Sequence, residues 1–188
     1  MESEPRAVVL VEGASDRAAL EALAERRGRD LAAEGVAVVS IGGAQAIGRV
    51  VHELGPRLRD VRLAGLCDAG EERDFRRALE RAGLGTDLTR ADMERLGFYV
   101  CDADLEDELI RAVGVEGVQA VAAAQGELTA FRTLQKQPQW RGRDEHEQLR
   151  RFMGSGGRRK IRYARLLVQA LDPTRIPRPL DRVLAHVV

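Results

Sequence analysis

Three short apolar runs in this chain each stop on a carboxylate. Glu12 closes Ala7-Val-Val-Leu-Val11, Asp68 closes Val61-Arg-Leu-Ala-Gly-Leu-Cys67, and Asp102 and Asp104 follow Gly97-Phe-Tyr-Val-Cys101. Runs of this length and composition read as buried strands, and helical segments separate them. If the strands are parallel, their C-terminal ends share one edge of the sheet, which is where open α/β folds build their sites. Carboxylates that converge there repel one another unless a cation lies between them. The pattern therefore points to an α/β fold carrying a divalent-metal site.

Element types alternate along the first hundred residues. A strand at about 7–11 leads into a helix from Ser15, a natural N-cap, with Leu20, Leu23, Ala24 and Leu31 as its apolar stripe. A second strand, Val36-Ala-Val-Val-Ser-Ile41, ends on Gly42-Gly43, and a second helix is expected to run to about Leu58. A third strand at 61–67 precedes a helix over about 71–82, and a fourth at 97–101 precedes a helix from Leu105. This order predicts a four-stranded parallel sheet with right-handed crossovers and helices on both faces. Beyond Asp102 the pattern is helical: 105–136 with breaks near Gly114 and Gly126, then 145–153, 158–171 and 178–187. We expect a core over residues 1–113 and an all-α, arginine-rich C-terminal cap over 114–188.

At 188 residues the chain can bury a real core. No apolar stretch is long enough to span a bilayer and no leader opens the chain, so a cytoplasmic protein is expected. Cys67 and Cys101 lie inside predicted strands with no Cys-x-x-Cys spacing, which reads as free buried thiols rather than zinc ligands. The formal net charge is zero, yet residues 132–165 hold eleven Arg or Lys against three acids. An acidic edge beside a basic flank suits a phosphodiester-handling enzyme, although a solvated helical face explains the basic flank too. The Gly42-Gly43 pair admits two readings as well: backbone amides offered to a phosphate, or a tight turn.

Some side chains can be weighed individually. Gly13 allows a tight turn after Glu12, and Asp16 sits in the first helical turn, where capping alone could explain it. In Asp104-Leu-Glu-Asp-Glu-Leu109, helical spacing prevents Glu106 and Glu108 from sharing one narrow face. Asp104 and Glu106, near the helix start, are better placed for a metal; Asp107 and Glu108 are expected to face solvent or pair with Arg111. Only two of the thirty basic residues are lysines, Lys136 and Lys160, which draws attention to Lys160. Trp140 is expected to pack in the cap, and His52, His146 and His186 to be structural or exposed.

Strand-Glu12-Gly13, a later strand-Asp68, Asp104-Leu-Glu-Asp-Glu-Leu-Ile-Arg111 and Gly157-Arg-Arg-Lys-Ile-Arg-Tyr-Ala164 together resemble the Toprim region of the overcoming lysogenization defect (OLD) nucleases. The resemblance covers nearly the whole chain. It implies a Rossmann-like Toprim sheet and a DNA endonuclease, a hydrolase using two divalent ions, Mg²⁺ or Mn²⁺. By matched position, Glu12, Asp16, Asp68 and the Asp104/Glu106/Glu108 cluster would form the metal shell, with Glu12 and Lys160 catalytic. Arg158, Arg159 and Arg162 would grip DNA phosphates. OLD proteins carry an ATPase before this region, and no Gly-x-x-x-x-Gly-Lys-Ser/Thr loop occurs here. A freestanding module is therefore expected, with DNA, a separately encoded ATPase or a second copy of itself as possible partners. One departure stands out: Toprim proteins usually show Asp-x-Asp after the third strand, and here the second position is Gly70. The alternative function is a catalytically degenerate module that binds nucleic acid or the ATPase.

Overall fold

The computed structural model of the protein describes residues 4–54 and 60–187. Four strands, β1 (Ala7–Val11), β2 (Val36–Ser40), β3 (Arg62–Asp68) and β4 (Phe98–Cys101), form one sheet in the order β2-β1-β3-β4. All the pairings are parallel, with Ala7 opposite both Val36 and Arg62, and Gly65 opposite Phe98. The chain leaves β1 for β2 on one side, then crosses to β3 on the other. The C-terminal ends of β1 and β3 thus flank a point where the connections diverge, and Glu12 and Asp68 sit on its two sides.

Strand alternation sorts the core into two layers. Ala7, Val9, Val11, Ala64, Leu66, Tyr99 and Cys101 face one apolar cluster. Val8, Leu10, Leu63, Cys67, Phe98 and Val100 face the other, which is filled by α2 (Ile47–Leu54), α3 (Glu72–Arg81) and α4 (Arg90–Arg95). Gly65 is required in this second layer. A Cβ there would come within 2.5 Å of the Phe98 ring, which packs edge-on against Phe75 at 6.3 Å.

The first layer is covered by α1 (Ala14–Arg26), α5 (Leu105–Val113), α6 (Val115–Ala124), α7 (Leu128–Lys136), α8 (Glu145–Met153), α9 (Gly157–Ala170) and α10 (Arg178–His186). The helices after residue 113 share this core with the strands: Phe131, Phe152, Tyr163, Leu167 and Leu184 belong to the same cluster as Val9. Truncating a leucine so placed to alanine costs about 2–5 kcal/mol. Helix α9 lies along α1, and the pair is pinned by Arg26 donating to the Val168 carbonyl at 2.7 Å and by the Arg165–Glu25 ion pair. That packing carries α9, with Lys160, to the end of the sheet where α1 begins.

The predicted strands are all present, with ends shifted by about one residue. Ser15 is not the N-cap. Gly13 precedes the first turn, its N–H donates to Asp16 Oδ2 at 2.8 Å, and Ser15 is buried one residue inside the helix. The second helix is described to Leu54; the expected continuation to Leu58 lies outside the described residues. Helix α4 was not anticipated, although Thr89 and Asp92 form a capping box at its start, a Thr-x-x-Asp signature readable in the sequence. Among the described residues no helix is long and apolar enough to cross a membrane.

Candidate metal and phosphate site

The strand ends place the predicted acids along one edge, and each is held differently. Glu12 is half-buried, and its Oε1 accepts the backbone N–H of Asp68 at 2.9 Å, linking the ends of β1 and β3. Asp16 returns its carboxylate to the Gly13 amide, so capping and site geometry coincide in this residue. Asp104 caps α5 by accepting the Asp107 N–H at 2.9 Å, and its other oxygen is held by Arg150, whose Nε is 2.8 Å away. Glu106, only 5% exposed, meets Lys160 Nζ at 3.3 Å. Its Oε1 is buried with no hydrogen-bond partner among the described residues.

The electrostatics show that these groups act on one another's charge. Burial, then the charges of Glu12, Asp16, Asp104 and Glu106, push the Asp68 carboxyl up to about 8. Burial also raises Glu12 and Asp16, against the opposing effect of the amides of Asp68 and Gly13. It raises Glu106 despite Lys160 beside it. Burial works against the Lys160 ammonium, but Glu106, Asp16 and Asp68 outweigh it, so the charged form is favoured. The edge thus carries more acids than Lys160 and Arg150 balance.

Hard oxygen donors, a buried oxygen lacking a partner and mutually destabilised carboxylates fit a divalent cation. The side chains do not close on one as they stand. Among the described residues no three acid, histidine or cysteine side chains are grouped tightly enough to hold an ion. Coulombic coupling acts over longer distances than coordination bonds, so the two observations are compatible. They describe a charged edge whose donors still have to converge.

Neighbouring acids have other tasks. Glu108 is buried, not solvent-facing. It accepts the Asp102 N–H at 3.0 Å and pairs with Arg111 at 2.9 Å, securing the turn after β4. Asp107 pairs with Arg111 at 2.8 Å and with His146 at 2.7 Å. Glu72 is taken by Arg90 at 2.6 Å, whereas Glu71 lies near enough to Glu12 to raise it. Gly70 is exposed, and a Cβ there would meet nothing within 4 Å. The amides of Gly42 and Gly43 donate to the Glu12 carbonyl at 3.2 and 3.1 Å, which makes the pair a turn and not a phosphate cradle.

Beside Glu106 and Lys160 opens a cleft of about 590 Å³, also lined by Asp104, Trp140, His146 and Arg151. Trp140 is half-buried there, with the Arg143 guanidinium 5.2 Å from its ring. Of the three arginines expected to grip phosphates, two are already paired with an acid. Arg159 and Arg162 reach Glu127 at 3.3 and 2.7 Å, and Arg159 also lies over the Phe152 ring at 4.5 Å. Arg158 is exposed and has no partner among the described residues. The roles of Arg150, His146 and Glu127 were missed in the sequence, because each acts on a partner far away in the chain and no local spacing marks it.

Residues 5–58, holding Glu12 and Asp16, match the family model described as the overcoming lysogenization defect protein-like TOPRIM domain. That segment, from β1 through α2, is similar to an OLD-like Toprim domain. Among solved structures, it is similar to the C-terminal region of the Xanthomonas campestris pv. campestris OLD protein, at TM-score 0.71 and 25% identity over 97% of this chain and 92% of that one. The C-terminal region of the Burkholderia pseudomallei OLD protein is similar at TM-score 0.69 and 21% identity, over 97% and 96% of the two chains. A search of curated proteins finds no match. Toprim domains as a class bind divalent metal ions. In this chain Glu12 and Asp16 fall inside the matched segment, while Asp68, Glu106 and Lys160 lie beyond it.

Proposed function

We propose that this OLD-like Toprim domain hydrolyses DNA phosphodiester bonds as an endonuclease dependent on Mg²⁺ or Mn²⁺. The observation that carries this reading is the strand-end edge, where Glu12 bonds across to the Asp68 amide and Glu106 holds a buried oxygen that no described residue partners; burial and the neighbouring acids push the Asp68 carboxyl up to about 8. Such an arrangement costs stability unless a cation completes it. Glu12, Asp16, Asp68 and Glu106 would hold the ions, with Asp104 at the margin because Arg150 already engages it. Bound there, two divalent ions supply Lewis acidity at the phosphate and an activated water.

The protein's own groups do the rest. The Asp68 amide fixes one oxygen of Glu12 and so orients the carboxylate toward the edge. Lys160 presents a fixed positive charge beside the acids, suited to the charge that builds on phosphate oxygens. Arg158 and the open cleft beside Lys160 offer room and charge for the flanking backbone.

The test is nicking of supercoiled plasmid in Mg²⁺, Mn²⁺ or EDTA, comparing wild type with Glu12→Gln. Metal-dependent nicking that disappears in the variant supports the assignment; equal nicking by both proteins rejects it. A second reading is favoured by Gly70 and by the ungrouped acids: a degenerate module that binds nucleic acid or a separately encoded ATPase. Salt-dependent DNA binding without cleavage in any metal would select it.

A further inference from the structure

A second basic surface lies outside the site. Helix α3 buries Phe75, Ala78 and Leu79 against the sheet and turns Arg73, Arg76 and Arg77 outward. These three stand at i, i+3 and i+4, so their guanidinium groups are neighbours on one face and repel. None makes an ion pair or a side-chain hydrogen bond among the described residues. The two acids of the first turn give no relief: Glu72 is held by Arg90, and Asp74 lines a separate cleft with Glu71 and Gly43.

The three arginines line a groove of about 670 Å³, completed by Arg90, Glu80 and Asp87. Glu80 spends one oxygen on the Leu88 N–H at 3.0 Å, tying down the loop that forms the opposite wall. Arg90 connects the groove to the strand-end edge: it pairs with Glu72 and comes within 3.7 Å of Asp102, the residue after β4. Helix α3 itself starts four residues after Asp68. The groove therefore continues from the acidic edge on the side of β3 and β4.

The geometry points to this arginine groove as a sequence-independent clamp for the phosphate backbone of duplex DNA flanking the site. A row of unpaired guanidinium groups on a rigid helix suits phosphate oxygens, which accept two parallel N–H bonds from each. The lining of the groove sets four arginines against Glu80 and Asp87, so its net charge is positive and favours an anion that crosses it. The inference rests on the nucleic-acid reading above and adds to it a second contact region, on α3.

The deciding experiment measures binding of a long labelled duplex in EDTA across a series of salt concentrations. Wild type, Arg73→Gln/Arg76→Gln/Arg77→Gln and the corresponding triple lysine variant are compared, with circular dichroism to confirm the fold. Each phosphate contact contributes about 0.9 to the slope of log K against log salt, so the glutamine variant should lose about 2–3 in slope. The lysine variant should recover most of it, since the point charges remain. A glutamine variant with wild-type slope and affinity overturns the groove and leaves the nucleic-acid reading standing. A wild-type protein that binds no duplex at any salt overturns both. Should the triple variant misfold, the three single substitutions carry the same test, each expected to lower the slope by about 1.

Discussion

Glu127 and Asp68 are both partly withdrawn from water, and their surroundings drive them in opposite directions. Burial disfavours the Glu127 carboxylate, yet Arg162, Tyr163 and Arg159 all donate to it and hold it below the usual carboxylate range. Asp68 is buried among four other acids, and its carboxyl is pushed up to about 8. Glu127 is complete within the fold, fastening α9 to the turn before α7 through three donors. The strand-end acids are incomplete in the same sense, because the fold brings five of them to one edge and sets against them Lys160, beside Glu106, and Arg150, which engages Asp104. A charge cluster that a protein balances internally holds structure together; one left unbalanced is available to something that binds.

The sharpest way to break this comparison is Glu12→Gln. The amide oxygen can still accept the Asp68 N–H, so the melting temperature should stay near wild type while metal-dependent nicking falls by at least about 100-fold. A large stability loss with proportionate activity loss would place Glu12 with Glu127, as a structural group.

Stability against pH separates the two regions next. An acid whose folded pKa is raised holds its proton in the folded state after the unfolded chain has released it. In EDTA, Asp68 should therefore make the protein less stable as pH rises from the ordinary carboxylate range towards 8. Glu12, Asp16 and Glu106 are shifted the same way and add to that slope. Denaturation at a series of pH values should show the slope shrinking in Asp68→Asn and in saturating Mn²⁺. Glu127 has the opposite sign: its lowered pKa contributes stability at neutral pH that is lost as pH falls through the carboxylate range.

Glu127→Gln should lower stability by about 1–3 kcal/mol, because two guanidinium groups and a phenol lose their charged acceptor. Denaturant midpoints would show it, and stabilisation by Mn²⁺ should be unchanged. The smallest effect is expected for Gly70→Asp. The position is exposed and open, so stability should move by less than about 0.5 kcal/mol. The added carboxylate should tighten Mn²⁺ binding, read by calorimetry. No gain in affinity would place Gly70 outside the site.

Much of the fold was legible because it is written in local pattern. Four apolar runs became four parallel strands, and the breaks at Gly114 and Gly126 became the ends of α5 and α6. Helix α4 was missed because its six residues bury only Met93 and show no periodic stripe. Of the site, the strand-end position of Glu12 and Asp68 was readable, and so was the inability of Glu106 and Glu108 to share one narrow face of α5. The burial of Glu108 was not, because its partner is the Asp102 amide, a backbone group without a sequence signature. Nor was the pairing of Arg159 and Arg162 with Glu127, since by residue type alone they look identical to Arg158.

The sequence by itself determined that carboxylates would gather on one edge. Parallel strands joined by right-handed crossovers must all end on the same side, so an acid closing each run arrives there whatever the details of packing. Only the tertiary structure decided which charges would remain unbalanced. That depended on α9 lying along α1, which sets Lys160 against Glu106 and gives Arg159 and Arg162 to Glu127, and on α8 bringing Arg150 to Asp104. Ion pairs between residues far apart in the chain form where packing of apolar faces carries them, and the spacing of the charged residues themselves does not encode it.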